Sequence, residues 1–445
     1  MNADLNPAIW PKSAHRNSDG EIVIGGLSVG SIAEQYATPV FIFDEDDVRS
    51  RASNYVAAFN SEDISTKVYY ATKAFQATTV TKWLTEEGLG MDVSTMGELE
   101  VALRGGAKPQ DIIFHGNNKS VAELERAVEV GVGRVVIDSL IEIERLNAIA
   151  SRAGIVQQVY IRLTVGVEAH THDFMATAHE DQKFGLSVAN GAAMAAVDAV
   201  MAADALSLAG LHSHIGSQIF DAAGFEAATH RVIEFAAAIF ERHALHVSEL
   251  DVGGGMGIAY IDGDDPLDVA HMAKAILDIV RTECQRVHMP IPRLAVEPGR
   301  AIIGAAGITV YEVGTIKPVA VDNGERHYIS VDGGMSDNIR TALYDAEYTV
   351  LLANRVSGGI NSTSRIVGKH CESGDIVVRD VQLPADIRPG DLLAVAATGA
   401  YCRSMANNYN MIGRPAVVGV KNGQATVILR RETMSDLLSL DPGAN

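Results

Sequence analysis

Cysteine is scarce in this chain of 445 residues. Cys284, Cys371 and Cys402 are too few and too scattered for a disulfide framework, so a reducing, cytoplasmic setting is expected. Positive charge is also short: 36 Lys and Arg face 56 Asp and Glu, a net charge of −20. That balance argues against nonspecific binding to nucleic acid or to an anionic membrane surface. No apolar run approaches the roughly 18 residues of a membrane-spanning helix. The first twenty residues carry no apolar stretch of signal-peptide type. Repeats and low-complexity segments are lacking too.

What remains, 47% hydrophobic and 21% charged, suits a large core divided over two domains. Short apolar runs alternate with helical patterns from about residue 47 to 310. The runs are 68–72, 90–93, 112–114, 134–137, 158–163, 208–214, 249–252 and 293–296. Between them lie helices such as "SVAELERAVEVG" and "SLIEIERLNAIASRAG". Ser120 with Glu123, Ser139 with Glu142 and Thr95 with Glu98 have capping-box spacing. Eight strand–helix units over roughly 250 residues predict a (β/α)8 TIM-like barrel.

From about residue 311 onward, "ITVYEVGTIKPVAV", "RHYISV", "EYTVLL", "DIVVRDVQL", "DLLAVAA", "AVVGV" and "ATVILR" read as strands. "EIVIGG" and "TPVFIFD" near the start have the same character. The expected architecture is α/β plus β: a barrel over 47–310 and a discontinuous, mostly-β second domain over 1–46 and 311–445.

Barrel enzymes place their chemistry at the C-terminal ends of the strands. Those ends carry Lys73, then Asp92 and Ser94, His115 and Asn117, and Arg162. "HSHIGSQ" with His212, His214 and Ser217, the triplet Gly253–Gly255, and "EPGR" with Glu297 and Arg300 complete the set. A lysine directly after the apolar strand of "VYYATKAF" is unusual, because burying an ammonium without a partner is costly. Alone, it reads as a side chain snorkelling from a strand end. The glycine triplet and the "EPGR" turn follow strands seven and eight, where barrels often hold phosphate; a plain tight turn is the other reading. A phosphate site and a poorly solvated lysine together suggest pyridoxal phosphate, since a neutral amine forms a Schiff base with an aldehyde. Glu297 is placed to face the pyridine nitrogen and His214 to cover the ring. His212 and His214 form an H-x-H pair, which points alternatively to a metal-dependent hydrolase, but further ligands are not evident and no metal is expected. The long loop 165–188, with His170, His172 and His179, has the length of a mobile active-site loop.

"YYATKAF", "HSHIGSQI", "LDVGGGMGIAY", "EPGR", "VDGGMSDNIRTALY", "CESGD" and "GAY" occur in the order found in the alanine-racemase-fold decarboxylases, which the chain resembles from about residue 20 to 435. The similarity is greatest to the branch that converts meso-diaminopimelate to L-lysine and CO2, the last step of lysine biosynthesis. The resemblance implies that Lys73 holds pyridoxal 5'-phosphate, that His214 stacks on its ring, and that Ser217 lies near its phosphate. By the same resemblance Asp92, Gly254, Gly255, Glu297, Pro298, Gly299, Arg300 and Tyr401 contact the cofactor. Arg300, Arg340, Tyr344, Glu372 and Tyr401 match substrate ligands, and Cys371 a catalytic cysteine. Cys371 and Glu372 serve the partner subunit's site in that family, which implies a homodimer with shared active sites.

Two departures stand out: Thr341 replaces a usual proline, and "HDFMATAHEDQKFGL" differs from the family's loop before "KFG". Arg300 and Arg340 suit a distal carboxylate through fork geometry, and Glu372 suits its ammonium. A decarboxylase for another basic amino acid is the alternative activity. Cys371 read without the resemblance is a small buried hydrophobe or a proton donor at Cα.

Overall fold

The computed structural model describes residues 5–167, 183–322 and 324–444. His170, His172 and His179 lie outside the described residues. The chain divides into two compact units. One comprises Arg51–Gly257 with Pro266–Gly299; the other comprises Met1–Ser50, Ile258–Asp265 and Arg300–Asn445.

The first unit is a closed parallel barrel. Its eight strands are Thr66–Ala71, Gly90–Val93, Ile112–Phe114, Arg134–Ile137, Gln157–Thr164, Leu206–Ser213, Glu249–Asp251 and Arg293–Val296. Each pairs in parallel with the next, and the eighth pairs with the first to close the ring. A short strand, Leu186–Ser187, adds to the fifth. The barrel and the mostly-β second unit are the architecture expected from the sequence.

The barrel interior combines large and small residues. Tyr69, Ile113, Val136, Tyr160, Ala209 and Ala295 form one buried cluster. Gly90 leaves room for the Tyr69 ring: a Cβ there would lie 2.4 Å from Tyr69 Cδ1. At the N-terminal end of the strands, Arg134 and Tyr160 both donate to Glu249, and Arg293 donates to the Tyr69 hydroxyl at 3.2 Å. Paired charges close that end, which leaves the opposite end for chemistry.

Helix starts follow the sequence in part. Ser120 and Glu123 form the expected capping box before Val121–Val130. Thr95 accepts from the Glu98 amide, but the Glu98 carboxylate turns to the Ser94 amide at 2.6 Å. Ser139 makes no side-chain cap. Its expected partner, Glu142, instead takes Lys119 at 2.7 Å and the Asp138 amide at 3.0 Å. A buried ammonium needs its carboxylate more than a helix end does.

The second unit is built on a mixed sheet of nine strands. Its path runs Ile376–Pro384, Asn361–Val367, Gly324–Val331, Gly307–Val321, Val40–Asp44, Ala416–Lys421 and Gln424–Leu429. Leu392–Val395 joins Gly307–Val321 and Val350–Leu352 off this path. The early segment Val40–Asp44 lies between Gly307–Val321 and Ala416–Lys421. Its core includes Trp10, Ile22, Ile42, Ile308 and Val418. No helix among the described residues is long and apolar enough to cross a membrane.

Candidate active site

The C-terminal ends of the barrel strands bring together most of the polar residues singled out in the sequence. Lys73 sits in a single 3-10 turn, Thr72–Ala74, directly after strand one. Thr72 and Ala74 are buried, and the Thr72 hydroxyl donates to the Asp92 carbonyl at 2.7 Å. The Lys73 side chain itself is exposed. The expectation of a poorly solvated amine is therefore corrected: the flanking residues are buried and the lysine is exposed, although its charge still acts on Asp92, Glu98 and His214.

Glu297, after strand eight, is only 5% exposed. Its Oε1 lies 2.6 Å from His115 Nε2 and its Oε2 3.3 Å from His212 Nε2. The two imidazoles meet edge to face, with centroids 4.7 Å apart. Burial alone raises the Glu297 carboxyl, but the two imidazole contacts reverse this and hold it well below its usual range. Burial lowers both histidines, His115 to about 4, so they are neutral at pH 7. An ionised carboxylate only accepts hydrogen bonds, so each ring presents Nε2–H to it.

Two further acids surround this group. Asp92 is buried, its Oδ1 lies 3.8 Å from His115 Nε2, and among the described residues that oxygen has no hydrogen-bond partner. Asp251 is fully buried and accepts from the Gly253 amide at 2.8 Å. Burial, then the Glu297 charge, raises both carboxyls well above their usual range. Of the three acids, Glu297 is thus the one whose surroundings favour the charged form. Asp251 was not singled out from the sequence. Its signal was available: an acid at the end of a buried strand, one residue before three glycines.

The H-x-H pair does not converge. Strand six ends at Ser213, so His214 lies beyond the pleat and only His212 joins the Glu297 cluster. His115, His212 and Glu297 offer ligand atoms all within 4.8 Å of one another, a set that could hold a metal ion. His214 is half-buried. Burial, then the Lys73 charge, holds its ring well below its usual value.

The loops after strands six and seven are tied together. Ile219 donates to the Gly255 carbonyl at 2.9 Å, and Gly257 donates back to the Ile219 carbonyl at 3.0 Å. Gly255 has φ +105°, and a Cβ there would lie 2.3 Å from the Gly216 carbonyl. A Cβ on Gly254 would lie 2.1 Å from the Glu297 carbonyl. Among the described residues, the Gly254 and Gly255 amides have no acceptor. The Gly254 amide is buried and that of Gly255 half-buried, next to the loop that carries Gly216 and Ser217, and unpaired amides of this kind suit a phosphate. With the primary amine of Lys73 and a buried carboxylate, they fit pyridoxal phosphate. Asn117 is exposed, and the Arg162 guanidinium lies 4.6 Å from the Phe184 ring centre.

The second unit groups the other candidates. Arg340 is 6% exposed and donates to the Tyr348 hydroxyl at 2.5 Å. Arg300 donates to the Tyr260 hydroxyl at 2.5 Å and lies 4.7 Å from the Tyr401 ring centre. Tyr401 holds φ +61°, rare for a bulky residue. Tyr344 is 61% exposed. Cys371 and Glu372 are exposed, and the Cys371 amide donates to Asn410 at 3.0 Å. Glu372 borders a cleft of about 290 Å³ with Met335, Ile339, Asn407 and Tyr409. Thr341, the departure from proline, is fully buried and donates to the Val377 carbonyl at 2.8 Å. Its hydroxyl anchors the short helix that carries Arg340. Tyr260 and Tyr348 were missed in the sequence, where nothing links them to the arginines.

Residues 45–304 match the family model for the pyridoxal-dependent decarboxylase, pyridoxal binding domain. The chain belongs to the pyridoxal-dependent decarboxylases, and within them to the diaminopimelate decarboxylase family. It is 57% identical to the diaminopimelate decarboxylase of Mycobacterium tuberculosis, over 98% of each chain. It is 42% identical to that of Bacillus subtilis, over 96% of this chain and 97% of the other. The structure of the M. jannaschii diaminopimelate decarboxylase in co-complex with L-lysine superposes with a TM-score of 0.90 at 30% identity. That match covers 97% of this chain and 98% of the other.

Proposed function

We propose that the protein removes one carboxyl group of meso-2,6-diaminopimelate, giving L-lysine and CO2, as a cytoplasmic homodimer with shared active sites. Pyridoxal 5'-phosphate is bound through Lys73 in the barrel unit. When bound, the cofactor supplies an electron sink for the pair left at Cα as CO2 departs. Glu297 faces the pyridine nitrogen and favours its protonated form. His214 would cover the ring, and Asp92 would also contact the cofactor. Ser217, Gly254, Gly255, Pro298, Gly299 and Arg300 take the phosphate side.

Arg340 carries the substrate assignment. It is buried against the phenols of Tyr348 and Tyr260, and no acidic group lies within ion-pair distance among the described residues. A desolvated guanidinium held by neutral rings keeps its charge for a carboxylate from outside. Diaminopimelate has that distal carboxylate; ornithine, arginine and lysine do not. Arg300, Tyr344 and Tyr401 complete the substrate contacts. Glu372 takes the distal ammonium and Cys371 returns a proton to Cα, both from the partner subunit. Their exposure in the single chain supports that division.

The test is CO2 release from meso-diaminopimelate, L-lysine, L-ornithine and L-arginine under identical conditions. The expected preference in kcat/KM for diaminopimelate is at least about a hundredfold, because a site built for a polar group rejects ligands lacking it. Higher kcat/KM on any substrate without the distal carboxylate defeats the assignment.

A further inference from the structure

We propose that His115 and His212 form a two-point clamp on Glu297: they are positioning residues that fix both the direction and the ionic form of the carboxylate offered to the cofactor. The inference rests on the reading that Glu297 faces the pyridine nitrogen.

Each oxygen of Glu297 meets a different ring, Oε1 at 2.6 Å and Oε2 at 3.3 Å, so the carboxylate cannot rotate without losing a contact. The rings are fixed in turn. His115 continues the ladder of strand three by donating its amide to the Val93 carbonyl at 2.7 Å. His212 lies within strand six, in register with Arg162 on one side and Asp251 on the other. The edge-to-face contact of the two rings locks each against the other.

The choice of imidazole matters. An arginine would orient a carboxylate but also cancel its charge. A neutral imidazole donates one hydrogen bond and leaves the full negative charge in place. A carboxylate buried with no such donors would take up a proton, and could no longer favour a protonated pyridine ring. The groups facing the clamp are Lys73 after strand one, Asp92 on strand two, Arg162 on strand five, His214 after strand six and Asp251 on strand seven. Burial and the Glu297 charge raise the Asp92 and Asp251 carboxyls, so of the three acids Glu297 is the one whose surroundings favour the charged form.

The experiment uses the holoenzyme and His115→Phe, His115→Gln and Glu297→Gln. It reads the cofactor dissociation constant and the pH at which the bound cofactor's visible band changes. Losing a hydrogen bond to a charged group weakens binding by about tenfold to a hundredfold. His115→Phe should therefore lose about that much cofactor affinity and shift the band titration. His115→Gln keeps an N–H donor and should restore most of both. Glu297→Gln should move the band more than either. If Glu297→Gln moves the band while a folded His115→Phe leaves affinity and titration at wild-type values, the clamp is overturned. If Glu297→Gln also leaves the band unmoved, the underlying reading of Glu297 has failed instead. Should His115→Phe not fold, the carbonyl carbon of Glu297 in ¹³C-labelled wild-type protein serves. An ionised carboxylate from pH 5 to 9 supports the clamp, and a protonated one near pH 7 overturns it.

Discussion

The guanidinium of Arg340 lies 4.9 Å from the ring centre of Tyr260 and 5.6 Å from that of Tyr348. The two rings themselves meet edge to face, 5.4 Å apart. Aromatic faces attract a cation without neutralising it, so the arginine is held in place with its charge intact. Lysine at this position would keep the charge but lose the planar fork. Arg340→Lys should lower kcat/KM for diaminopimelate by about tenfold to a hundredfold, chiefly through KM. Steady-state kinetics check this; an unchanged KM contradicts it.

Tyr348 supports Arg340 from below. Its hydroxyl accepts from Arg340, and lies 3.4 Å from Asn338 Oδ1 and 3.6 Å from the Cys402 sulfur. Tyr348→Phe strips a buried guanidinium of its acceptor. The expected loss is about 1–3 kcal/mol of unfolding free energy, measured in urea.

Gly255 and Gly88 both have positive φ, +105° and +90°, but only Gly255 is crowded. Alanine at Gly88 meets nothing within 4 Å and should cost only backbone strain, about 1–2 kcal/mol. Alanine at Gly255 strikes the Gly216 carbonyl as well and should displace the phosphate-side loop. Equilibrium dialysis should show weakened cofactor binding in Gly255→Ala and wild-type binding in Gly88→Ala.

Burial pushes the Asp337 carboxyl up to about 7, although Tyr311 donates to it and the Gly334 amide does so at 2.9 Å. Its value in the unfolded chain is about 3.9. Between these values the folded state holds a proton that the unfolded state has released. Stability from this group therefore falls as pH rises from about 4 to 7, by at most about 1.4 kcal/mol per pH unit. His115, lowered to about 4, contributes the opposite slope below about 6.5. That slope is common to wild type and Asp337→Asn, so it cancels in their difference. Asp337→Asn should gain stability relative to wild type as pH rises across this window. A pH-independent difference contradicts this.

If Cys371 and Glu372 serve the neighbouring subunit, two inactive variants should rescue each other. Mixing Lys73→Ala with Cys371→Ala, with subunit exchange verified by mass, should recover about a quarter of wild-type activity from random pairing into heterodimers with one intact site. No recovery counts against a shared site.

The barrel was legible because its strands are short apolar runs bounded by turn residues. Ile112–Phe114, Arg134–Ile137 and Arg293–Val296 start and stop where the sequence pattern places them. Asn361–Val367 was missed, because "NSTSRIV" carries hydroxyls on both faces and buries only Ser364 and Ile366. Such a strand is recruited by its neighbours, not by its own hydrophobicity. Within the site, residue types at strand ends pointed to Lys73, His214 and Glu297. Local spacing could not show that His115 and His212 share one carboxylate, since 182 and 85 residues separate them from it. The exposure of Lys73 was likewise invisible, because an apolar approach describes the strand and not the direction of the turn that follows it.

The most direct test of the account is reduction of the purified holoenzyme with borohydride, followed by proteolysis and mass mapping of the pyridoxyl-modified peptide. Reduction should abolish the visible band and leave one modified lysine, Lys73, in the peptide containing "YYATKAF". Modification at a different lysine, or a visible band that survives reduction with no lysine labelled, would contradict it.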